Sequence, residues 1–172
     1  MLIIAVNDKE FELPFYEDEQ LEELCNMCGV EDIDEINCNY EIVASDSYYF
    51  DVKTIKEMLD NNYLTVAELN EFCEELDGED DKQELLLAIV DACGWSYIDI
   101  LESIAEIDKG RYTLYNLSEE EFCERMYRDG IILCDLPEKY AEYIDWGKVW
   151  GKYYKYDDDT FATNYGILCK YC

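Results

Sequence analysis

The sequence predicts an α+β fold laid out as an elongated chain of three small domains. Three observations lead there: strand-like apolar segments gather toward the two ends, helical spacing fills the middle, and the negative charge is large for a ball of this length. Residues 1–61 are expected to form a strongly acidic N-terminal domain, a small antiparallel sheet with a helix. Residues 62–108 should be a central helical bundle, and residues 109–172 a C-terminal domain of mixed sheet and helices whose aromatic residues suit a core or a dimer interface. The chain has two Pro and eight Gly and no Pro-rich or Ser/Gly-rich linker, so the domains should abut.

In order along the chain, Leu2 to Val6 reads as a short apolar strand, followed by an acidic helix from about Asp18 to Met27. Leu21, Leu24, Cys25 and Cys28 recur at i, i+3, i+4 and i+7, which places them on one buried face, and Gly29 ends the helix. Extended segments are expected near Tyr40 to Ala44 and Tyr48 to Val52. From Thr65 the pattern turns helical: Thr65 and Glu68 form a capping box, and Leu69, Phe72, Cys73 and Leu76 follow at helical spacing. A second helix spans about Asp80 to Cys93 with Gly94 at its end, and a third about Tyr97 to Ile104. Arg111 to Tyr115 reads as a strand, then Ser118 and Glu121 open a capped helix that Gly130 closes. Helical pattern resumes at Pro137 and after Asp145, and the chain finishes in the strand-like run from Tyr165.

The charge narrows the function. The 172 residues carry 43 acidic and 13 basic side chains, a formal net charge of -30, while hydrophobic residues make up 49% and aromatic ones 15%. An apolar share of that size can offset chain entropy, so the chain folds rather than forming an acidic tail. Residues 1–86 hold 26 acidic and 4 basic residues, and Glu10 to Val52 contains no Lys, Arg or His. Such a surface repels nucleic acid and anionic membranes, and its partner should be cationic. The chain has no apolar run long enough for a membrane-spanning helix and no signal-peptide pattern, so a cytoplasmic location is expected. Nine scattered Cys fit reduced thiols.

Catalytic motifs are scarce. Without His there is no Ser-His or Cys-His nucleophile pair, and among so many carboxylates spacing distinguishes no acid–base couple. Cys25 and Cys28 form one CxxC and Cys169 and Cys172 another, but the first lies on a helix's apolar stripe and the second at a terminus, so buried thiols are favoured over zinc. The acidic loops from Asp77 and Asp157 lack the EF-hand's Gly at position six and Glu at twelve. Neither a metal nor a cofactor is expected, and the protein is read as no enzyme. Tyr143, Trp146, Trp150 and Tyr153 are spaced as one helical stripe, which fits a core or a subunit interface.

Thirty uncompensated charges match about 50 Å of duplex DNA at one phosphate per about 1.7 Å. A compact globule of this length would be only about 40 Å across. Charge at DNA-like density therefore calls for an elongated chain. The candidate phosphate-mimicking groups are Glu17, Asp18, Glu19, Glu22, Glu23, Glu31, Asp32, Asp34, Glu35, Glu74, Glu75, Asp77, Glu79, Asp80 and Asp81. An acidic chaperone or inhibitor of some other basic protein would show the same charge asymmetry.

The run from Leu136 to Ile167, LPEKYAEYIDWGKVWGKYYKYDDDTFATNYGI, resembles the C-terminal signature of the ArdA antirestriction family, in which Leu-Pro is followed by Tyr-Ile-Asp, an aromatic, a Gly and a closing Gly-Ile or Gly-Tyr. Tyr63 to Leu76 resembles the family's central Glu-Leu-Asn helix, and EFELPFY its early Leu-Pro segment. The resemblance implies a homodimeric, elongated DNA mimic of three small domains, encoded on mobile elements. It further implies that such a protein occupies the DNA-binding groove of type I restriction-modification enzymes in the bacterial host's cytoplasm, without catalysis.

Overall fold

The computed structural model describes residues 2–171 and opens on a β-hairpin. Strand β1 (Leu2–Val6) runs into β2 (Lys9–Leu13) through Asn7 and Asp8, both at positive φ, 49° and 66°, with Val6 opposite Lys9. Short polar side chains tolerate that backbone, which matches the twist of a tight hairpin. Strand β3 (Glu41–Ser45) pairs antiparallel with the other edge of β1, giving the order β2-β1-β3. Leu2, Ile4, Val6, Phe11, Leu13 and Ile42 are all buried, the alternation a half-buried sheet requires.

Helix α1 (Asp18–Cys28) stops where Gly29 adopts the left-handed conformation, φ 73°. Leu24 and Cys25 are buried as the spacing requires, but Leu21 and Cys28 stay half-exposed. The extended segment expected at Tyr48 to Val52 is instead a bend leading into α2 (Val52–Asn61). Asp51 accepts a hydrogen bond from the Thr54 backbone N–H at 2.7 Å and so starts that helix. Ile55 and Met58 then pack inward. Tyr48, Tyr49 and Phe50 read as strand from their aromatic side chains, but they form the bend before the cap, and only Val52 of this stretch enters the helix.

Helix α3 (Val66–Leu76) carries the full capping box of Thr65 and Glu68 and packs on β2 and on the 3-10 turn Ile33–Glu35. Helix α4 (Asp80–Cys93) follows, then α5 (Ile100–Asp108). The latter starts later than the spacing suggests, because Asp99 caps it by accepting from Glu102 N–H at 2.9 Å.

The remaining elements are β4 (Tyr112–Tyr115), α6 (Glu119–Arg128) with its Ser118–Glu121 capping box, a 3-10 segment Glu138–Tyr143, α7 (Trp146–Tyr153), β5 (Thr160–Thr163) and β6 (Gly166–Lys170). The second sheet is antiparallel in the order β4-β6-β5. Gly166 has φ 127°, and a Cβ there would lie 2.3 Å from the Tyr115 carbonyl oxygen, so the β5–β6 hairpin requires glycine at this position. Contacts gather the chain into two compact units, one running through Glu84 and including Trp95–Ala105, the other made of Leu85–Gly94 and the chain from Glu106 onward. The fold is α+β, with one small antiparallel sheet in each unit.

Candidate partner-binding surface

All fifteen carboxylates singled out in the sequence are exposed, and all belong to the first unit. On α1, Asp18 and Glu19 occupy the first turn, where the helix dipole favours negative charge, and Glu22 and Glu23 stand one turn on. Glu17 precedes them as a cap residue whose side chain makes no capping bond, so its carboxylate faces outward to solvent. Glu23 pairs with Lys9.

Asp34 and Glu35 lie in the 3-10 turn, Asp32 caps it and Glu31 precedes the cap. Asp32 accepts from Asp34 N–H at 3.2 Å, and Glu35 from Glu31 N–H at 3.5 Å. Around the end of α3, Glu74 accepts from the Asn70 amide at 2.8 Å and Glu75 meets the Lys82 ammonium at 2.8 Å. Asp77 accepts from the Tyr16 hydroxyl, which holds its carboxyl below the usual range and raises the Tyr16 phenol to about 12. Glu79 precedes α4, and Asp80 and Asp81 fill its first turn. Residues 1–86 supply only four basic side chains, so most of these charges have no cation of the unit's own to meet.

The aromatic stripe divides. Trp150 is 5% exposed and belongs to the second unit's core, with its ring 6.2 Å from Phe122 and 5.6 Å from Tyr154. Trp146 is half-buried against Tyr127, ring centroids 5.6 Å apart. Tyr143 is exposed but sits in the 3-10 segment before α7, so the four residues do not share one helix; extended Ile144 interrupts them. Tyr153 is exposed at the end of α7, with Lys152 over its ring at 5.2 Å. The surface share of the stripe is therefore Tyr143 and Tyr153. Spacing alone did not reveal the lysines stacked on tyrosines in this unit, Lys139 on Tyr140, Lys155 on Tyr156 and Lys170 on Tyr112; adjacency in sequence signals the first two.

The other motifs resolve into local structure. Cys25 is buried, and burial, with the neighbouring Cys28 next, pushes the Cys38 thiol up to about 11. Cys169 is buried in β6, and Cys172 lies outside the described residues. Among the described residues, no three metal-ligating side chains converge. Asp157 accepts from the Thr160 hydroxyl at 2.9 Å, just where β5 begins. No helix among the described residues is long and apolar enough to cross a membrane. Compared with models of protein families and with curated proteins, the chain matches none.

Proposed function

We propose that the protein is a non-catalytic DNA mimic that inhibits type I restriction-modification enzymes by filling their DNA-binding groove with the carboxylates of its first unit. One observation carries this reading. From Glu17 to Glu22 four exposed carboxylates stand on six residues, which cover about 9 Å of helix axis, Glu23 beyond them being paired with Lys9. That is one charge per about 2 Å, near the 1.7 Å of duplex DNA. Lys and Arg side chains that grip phosphate would meet the same charge at a similar pitch.

The reading needs no cofactor and no metal. It places the protein in the cytoplasm of a bacterial host as a homodimer, for which the exposed Tyr143 and Tyr153 of the second unit offer aromatic contact area. Displacement of a labelled duplex from a purified type I methyltransferase tests it. Inhibition that leaves bound DNA in place, or displacement from an unrelated basic protein with equal strength, would favour the acidic-chaperone alternative.

A further inference from the structure

The acidic helix offers more than charge. At its end Gly29 N–H donates to the Asn26 carbonyl at 3.3 Å and Val30 N–H to the Cys25 carbonyl at 3.0 Å, a Schellman-type reversal that folds the following residues back on α1. Asp32 then caps the 3-10 turn and fixes Ile33. The result is a groove of about 470 Å³. Half-buried Leu21, Val30 and Ile33 give it an apolar lining, and exposed Glu22, Glu31 and Asp32 give it three carboxylates. Burial, and next the nearby Asp32 carboxylate, push up the thiol of Cys25, which also lines the groove.

We propose that this groove seats an arginine side chain of a protein partner, its methylene stem on Leu21, Val30 and Ile33 and its guanidinium among Glu22, Glu31 and Asp32. The inference rests on the reading that the acidic unit docks on a protein surface that binds DNA. Charge complementarity selects the occupant: no Lys, Arg or His lies between Glu10 and Val52, so this part of the chain supplies no cation for these carboxylates. Arginine suits the lining better than lysine, because its planar head is more weakly hydrated and lies on apolar surface. A DNA backbone has no apolar counterpart. The apolar lining of the groove therefore adds a contact that salt does not screen to a surface whose charge attraction salt does screen.

Two measurements test it. In the first, duplex displacement from a type I methyltransferase is followed across salt concentration with the full chain and with the variant carrying Val30→Thr and Ile33→Thr, its fold checked by circular dichroism. The variant should lose about tenfold in affinity at every salt concentration with the slope against salt unchanged. A triple Glu22→Gln, Glu31→Gln and Asp32→Asn variant should flatten the slope instead. Equal displacement by the folded threonine variant and the parent overturns the anchor.

The second uses no enzyme: an Ala-Arg-Ala peptide and its citrulline counterpart are titrated against the full chain while the methyl signals of Leu21, Val30 and Ile33 are followed by NMR. The arginine peptide should shift them and the citrulline peptide should not; silence from all three overturns the anchor whatever the enzyme shows. A parent chain that shifts with the arginine peptide yet displaces no DNA contradicts the proposed function and leaves the anchor standing.

Discussion

Tyr16 and Asp77 show how a single residue on this surface can be both structural and displayed. The phenol donates to the carboxylate, stabilising its charged form. Tyr16→Phe should therefore raise the Asp77 pKa toward the ordinary carboxylate range, which carboxyl carbon NMR reads directly. Gly166 is the opposite case, a residue with no surface role and no freedom to vary. Its φ of 127° and the 2.3 Å approach of an added Cβ to Tyr115 predict that Gly166→Ala destabilises the protein by about 1–3 kcal/mol from backbone strain, before the clash is counted. Thermal unfolding checks it. Glu22→Gln should change affinity for the partner less than about fivefold, because exposed ion pairs are individually weak.

At the scale of elements, capping boxes and buried spacing were legible in the sequence, while short strands and the helix starts set by a single Asp cap, Asp51 and Asp99, were not. Thr65–Glu68 and Ser118–Glu121 mark the starts of α3 and α6, and Leu2 to Val6 is a strand, because each signal is local. Strand β2 went unread: only Phe11 and Leu13 point inward, and the Asn7-Asp8 turn was its one clear cue. Strand β5 hid behind the acidic run Asp157 to Asp159, and α2 behind the strand-forming Tyr48 to Phe50 that precede its Asp51 cap. The exposure of the fifteen carboxylates was legible because carboxylates must stay wet, whereas the groove was not, because it needs the chain reversal after Gly29. Thr65→Ala should cost about 1 kcal/mol of stability by losing its cap. Trp150→Ala should cost about 3–5 kcal/mol in the protomer, measured by denaturant unfolding, since its ring fills the core. Tyr153→Ala should instead leave protomer stability nearly unchanged and weaken self-association, read by analytical ultracentrifugation.

Over the whole molecule, a net charge of -30 works against compaction, so the melting temperature at pH 7 should rise with added salt as repulsion is screened. Asp51, Asp77, Glu106, Glu121 and Asp145 pull the other way, since each carboxyl is held below its ordinary value by hydrogen bonds: Asp51 by Thr54, Asp77 by Tyr16, Glu106 by Lys109, Glu121 by Ser118 and Asp145 by Lys148. A depressed folded-state pKa means that the unfolded chain binds protons first. Their contribution is complete above about pH 4 to 5 and is lost as pH falls through the lower, folded values. Stability should therefore fall below about pH 4 even as the net charge shrinks. The most direct test of the central claim is displacement of a labelled duplex from a type I methyltransferase by the protein and by a variant with Glu17, Asp18, Glu19, Glu22 and Glu23 all changed to amides. The account predicts displacement by the parent, and a loss in the five-amide variant that is larger at low salt than at high; no displacement by the parent, or equal displacement by both, would contradict it.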